Sequence, residues 1–86
     1  MKTTWMKLVV DSCAFLELSG DDVVSPDAAV AQLEAIAFTL KEELTAEERR
    51  EFVNYIEELA TQERAGGRDE ARTTFLAQLP EALGLI

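Results

Sequence analysis

Eighty-six residues suffice for one small domain, 1–86, with 48% hydrophobic content, no histidine, and 17 acids against 8 bases for a formal charge of −9. A chain of this size buries roughly 60–70% of its unfolded surface, so a sound core leaves no room for a deep substrate cavity. The hydrophobic fraction argues against wholesale disorder, and the negative field repels nucleic acid and anionic membrane while drawing in cationic partners.

The charge is unevenly placed. From Leu8 to Leu40 there is no Lys or Arg, against Asp11, Glu17, Asp21, Asp22, Asp27 and Glu34. From Glu42 to Glu63, eight Glu face only Arg49 and Arg50. Cys13 is the single cysteine, so no intramolecular disulfide forms, which fits a reducing cytoplasm. The apolar run after Lys7 is broken by Asp11 and Glu17. It suits neither a secretory leader nor a membrane span, which needs about 20 apolar residues.

Four segments read as helix. The first spans about Thr4–Leu18, with Trp5, Val9, Ser12, Cys13 and Leu16 on one face and Met6, Leu8 and Phe15 flanking. Ser19-Gly20 ends it, Gly20 supplying a left-handed C-terminal residue. After the Asp21–Val24 linker, Ser25-Pro26-Asp27 opens the second helix: a capping hydroxyl, a proline at the first position and an acid at the positive helix end.

That second helix runs to about Glu43. Ala29, Val30, Leu33, Ile36, Ala37, Leu40 and Leu44 form one face, and Ala28, Ala31, Ala35 and Phe38 form the opposite one. A helix apolar on both sides is expected at the centre of a fold. Its alternative use is to dock a partner or a second copy of the chain through the Phe38 face.

Thr45-Ala46-Glu47-Glu48 fits a capping box, starting the third helix at Ala46. Phe52, Val53, Ile56, Leu59 and Ala60 form its core face, and Gly66-Gly67 ends it. The fourth helix starts near Asp69 and stops near Leu79, before Pro80; Phe75, Leu76 and Leu79 are its apolar side. Leu83, Leu85 and Ile86 are expected to fold back as a lid. The fold class is all-α: a compact antiparallel bundle of three long helices with a shorter C-terminal fourth.

No constellation points to catalysis. Without histidine the usual general base and commonest metal ligand are absent, and one cysteine cannot build a zinc site. Gly66-Gly67 precedes no Lys-Ser/Thr pair, so there is no phosphate loop. Asp21, Asp22 and Asp27 lack the alternating spacing of a calcium loop, and solvating a loop and capping a helix account for them. The chain is therefore expected not to be an enzyme and to need no cofactor or metal. Cys13 reads as a core residue.

The candidate partner-binding residues are acidic. Glu47, Glu51, Asn54 and Glu58 recur at spacings of four, three and four opposite the core of the third helix, with Tyr55 at one edge. An aromatic side chain ringed by charge is a common interface anchor. Asp21, Asp22 and Asp27 form a second acidic group at the first loop. The expected role is a cytoplasmic binding protein, of the bacterial immunity-protein or antitoxin type, that neutralises a basic toxin by direct contact. In format (small, acidic, helical) the chain is similar to nuclease-immunity proteins, with which it shares no motif. The alternative is a self-associating structural or adaptor module, a homodimer through Phe38 supported by the apolar C-terminal tail.

Overall fold

A computed structural model describes residues 3–67 and 69–86, so Met1, Lys2 and Arg68 lie outside the described residues. Four helices follow in chain order: α1 (Thr3–Leu18), α2 (Pro26–Glu43), α3 (Ala46–Gly66) and α4 (Glu70–Ala82). The fold is all-α, three long helices and a shorter fourth.

Local chemistry sets most of the boundaries. The Ser25 hydroxyl accepts from the Ala28 N–H at 3.2 Å, with Pro26 at the first position of α2. At α3 the capping box closes in both directions: the Glu48 N–H donates to Thr45 Oγ1 at 3.0 Å, and the Thr45 N–H donates to Glu48 Oε1 at 2.9 Å. Each such cap satisfies amides that the first helical turn leaves unpaired. Gly67, at φ 64°, ends α3 in the left-handed region. Asp69 caps α4 through the Arg72 N–H at 3.0 Å.

The core is a single cluster. Phe52 and Ile56 of α3, Leu76 of α4, and Val10 and Cys13 of α1 are fully buried, with Met6, Phe75, Leu79 and Leu83 around them. Burying a side chain of the Phe52 or Ile56 kind stabilises by roughly 1.5–3 kcal/mol. Trp5 meets Phe52 with ring centroids 5.1 Å apart at 50°, a tilted aromatic pair. The α3 face is the one expected, Leu59 being half-buried and the other four buried.

Four expectations need correction. The buried face of α1 is Met6, Val10, Cys13 and Ala14: of the expected face Cys13 is buried, Trp5, Val9 and Leu16 are half-buried and Ser12 is exposed, so the helix is turned toward its Met6 side. The reason is that α1 touches all three other helices, so its apolar residues answer to more than one neighbour. Consequently α1, and not α2, occupies the centre. α2 packs mainly on α1, burying only Ala29 and Leu40, with Leu33, Ile36, Ala37 and Leu44 half-buried. Val30 and the whole Ala28, Ala31, Ala35, Phe38 stripe are exposed.

Third, Gly20 is not left-handed; positive φ is confined to Gly67 and Gly84 among the described glycines. The Gly20 carbonyl instead accepts from the Val23 and Val24 N–H groups, at 2.9 and 3.1 Å, and so builds the α1–α2 turn. Fourth, α4 runs through Pro80 to Ala82. The proline removes one helical hydrogen bond, but its ring is buried and the end is closed just beyond it. The Leu85 N–H donates to the Pro80 carbonyl at 2.9 Å and the Gly84 N–H to Glu81 at 3.0 Å, with Gly84 at φ 72°. That is the Schellman pattern, and it turns Leu83 and Leu85 inward. Of the expected lid, only Ile86 stays exposed.

Candidate partner-binding surface

The α3 stripe is assembled by helical periodicity alone. Phe52, Val53, Ile56 and Ala60 face the core, which turns Glu47, Glu51, Asn54 and Glu58 to solvent. Tyr55 is half-buried and packs its ring against the core, between the two faces. Glu51, Asn54, Tyr55 and Glu58 line one shallow depression with Thr3 and Met6 of α1. The lining thus brings an aromatic ring together with two carboxylates. Glu47 lies one turn earlier, in the first turn of α3, where it complements the positive helix end.

Asp21, Asp22 and Asp27 are exposed, but they are not part of this depression. They sit beyond the C-terminal end of α1, whereas Thr3 and Met6 sit at its N-terminal end. At 1.5 Å per residue the two ends of α1 are about 22 Å apart. The eight candidate residues therefore form two separate acidic surfaces. Asp27 also serves α2, in its first turn.

Few carboxylates are neutralised by ion pairs. Among the described residues, Lys7 Nζ meets Asp11 Oδ2 at 2.6 Å and Arg72 Nε meets Glu63 Oε1 at 3.4 Å. The hydrogen bond and charge of Asp11 raise the Lys7 ammonium above the usual lysine range. Arg49 is turned away from the surface stripe: its Nη2 donates to the Lys41 carbonyl at 3.4 Å, tying the start of α3 to the end of α2. Cys13 is fully buried, and desolvation, with Glu17 adding to it, pushes its thiol up to about 11. A thiol held protonated in this way is a packing group and not a nucleophile at neutral pH. Among the described residues no three potential ligands converge to hold a metal ion. No helix among them is long and apolar enough to cross a membrane.

A further surface was not singled out by sequence reasoning. Between α1 and α2 runs an open groove of about 610 Å³, walled by Leu8, Val9, Phe15 and Leu16 on α1 and by Gln32 and Ile36 on α2. Leu8 is 63% exposed and Phe15 55%. The signal in the sequence is that α1 carries more large apolar residues than one buried face can use. The chain matches no protein-family model, and no curated protein or solved structure matches it.

Proposed function

We propose that this chain is a small acidic binding protein, of the immunity-protein or antitoxin type, that neutralises a basic toxin by direct protein–protein contact. The observation that carries this reading is the depression on α3, where exposed Glu51 and Glu58 flank the half-buried Tyr55. A toxin that acts on nucleic acid needs a positive surface. Carboxylates around a rigid aromatic ring suit such a surface, the ring supplying contact area and the acids supplying steering and register. The net charge of −9 accelerates capture of a cation at low salt. The setting that fits this role is the cytoplasm.

The test is affinity capture in a salt gradient. Wild type is compared with a Glu47→Lys/Glu51→Lys/Glu58→Lys variant, and the captured protein is then reconstituted with each. A basic protein that is held and inhibited by wild type alone, and released by salt, supports the reading. Equal capture and inhibition by both forms overturns it for these residues.

A second reading, self-association through α2, is favoured by the exposure of Ala28, Ala31, Ala35 and Phe38, the last at 67%. It loses the support of the C-terminal tail, since Leu83 and Leu85 are spent in the chain's own core. Phe38→Glu removes no core contact and leaves stability within about 0.5 kcal/mol. Sedimentation at micromolar concentration decides this reading: a dimer in wild type that the variant lacks supports it, and a monomer in both rejects it.

A further inference from the structure

We infer that the cavity between α1, α2 and α4 is a binding site for a small organic cation, an ammonium joined by a short spacer to a ring or branched alkyl group. The cavity shares no residue with the α3 depression, and the inference stands independently of the reading above.

The apolar part of the site is a cavity of about 150 Å³. α2 and α4 each pack on α1 but not closely on each other. Leu33 of α2 lines the space left between them, together with Phe75, Leu79 and Ala82 of α4 and Leu83 just beyond it. A cavity of this volume walled by apolar carbon stays dry and holds a benzene-sized ring. The polar part is Glu17 and Gln78, which line both this cavity and a neighbouring depression. That depression adds Glu70 and Thr74 and contains no base.

Glu17 is the residue that packing does not account for. Met6, Val10 and Cys13 are buried along α1 at spacings of four and three, and the next step of four reaches Glu17. An apolar residue would serve the core at that position. Glu17 also stands in the last turn of α1, where the negative helix end disfavours a carboxylate. It takes part in neither ion pair among the described residues. Residues that break local rules without a structural return concentrate at functional sites. Glu70, by contrast, has a local reason: it lies in the first turn of α4 and complements the positive helix end. Glu17 therefore carries the assignment, and Glu70 adds to the negative potential beside it.

The surrounding charges fix the sign of the ligand. The described spans of α1, α2 and α4 hold three bases. Lys7 pairs with Asp11, and Arg72 with Glu63. Lys41 lies beside Gly84, eight residues or about 12 Å along α2 from Leu33, and lines neither the cavity nor the depression. An ammonium at the mouth thus meets the Glu17 carboxylate and the Gln78 amide, while its apolar group fills the cavity. An anion there would be repelled, and a neutral ligand would leave the charge of Glu17 without a partner.

Titration of the whole chain with four probes, followed by chemical shifts, tests this: phenethylamine, phenethyl alcohol, phenylpropionate and ethylamine. Phenethylamine is expected to saturate and to bind about tenfold more tightly than each of the others, the effect of one charge-assisted hydrogen bond or of the buried ring. The shifts are expected at the methyl groups of Leu33, Leu79 and Leu83 and at the Glu17 amide. Glu17→Gln is expected to weaken phenethylamine about tenfold and to leave phenethyl alcohol unchanged. Ala82→Leu, which fills the cavity from an exposed position, is expected to remove binding of both. The comparison of the four probes on wild type needs no variant and is decisive by itself. Failure of phenethylamine to saturate, equal affinity for the amine, alcohol and carboxylate, or unaltered amine affinity in Glu17→Gln would each overturn the assignment. So would shifts centred on Glu51, Tyr55 and Glu58, which would place the cation on the α3 depression instead.

Discussion

At the scale of single residues, Cys13 shows how burial converts a reactive group into a packing one. Its thiol keeps its proton up to about 11 in the folded chain, against 9.0 as the ordinary value. Between these two pH values the unfolded chain binds fewer protons than the folded one. Stability from this group is therefore full below pH 9 and lost as pH rises toward 11. Cys13→Ala removes that dependence along with the sulfur contacts. Urea melts should show the variant about 1 kcal/mol less stable at pH 8, from the buried volume lost. The gap should close and then reverse by pH 10.5; an unchanged gap would place the alkaline loss in other groups. At pH 7.5 the native thiol should react with Ellman's reagent far more slowly than in urea, since the thiolate is the reactive form.

Among the elements, the helix ends are where local sequence speaks most plainly. Ser25-Pro26, Thr45 with Glu48, and Gly67 each carry a local chemical reason for a boundary, and each boundary falls there. Pro80 is the exception, because the Schellman turn that follows it depends on burying Leu83 and Leu85, a tertiary event. Faces were less legible than ends. α3 has one apolar face and it is the buried one, so the stripe of Glu51, Asn54 and Glu58 followed directly. α1 and α2 carry apolar residues all round, and periodicity cannot say which side a neighbour takes. For the same reason the sequence did not show that the Asp21, Asp22, Asp27 group and the α3 stripe lie at opposite ends of α1. The two left-handed glycines offer a further test at this scale. Gly67→Ala and Gly84→Ala should each cost about 1–2 kcal/mol in backbone strain. Gly84→Ala should be the worse, because its new methyl carbon would meet Lys41 Cδ at 3.3 Å while that of Gly67 meets nothing within 4 Å. Thermal melts of the two variants decide the order, and a milder Gly84→Ala would show that Lys41 moves aside at no cost.

For the whole molecule, electrostatics and packing pull in opposite directions. Nine net negative charges are spread over a body of 37 × 31 × 23 Å, with two ion pairs among the described residues to offset them. Raising salt from 0.01 to 0.15 M shortens the screening length from about 30 to about 8 Å. Screening weakens the exposed Lys7–Asp11 pair and the half-buried Arg72–Glu63 pair as well as the general repulsion, and pairs that water reaches are each worth about 1 kcal/mol or less. The repulsion is the larger effect, so added salt should stabilise the fold. A gain of about 1 kcal/mol would raise Tm by roughly 4–8 °C for a chain of this size. A Tm that falls with salt would mean that the ion pairs dominate.

The one-sided seat of α2 bears on how the chain opens. Adjacent in sequence, α3 and α4 form the most extensive helix pair, and α1 closes over them. Losing α2 from this assembly exposes Leu40 and the edge of the cluster, while Phe52, Ile56 and Leu76 remain covered by their neighbours on α1, α3 and α4. Subglobal opening of α2 should thus require less free energy than global unfolding. In native-state hydrogen exchange its amides should lose protection as one group, ahead of those of α3. Protection of α2 equal to that of α3 would instead make the four helices a single cooperative unit.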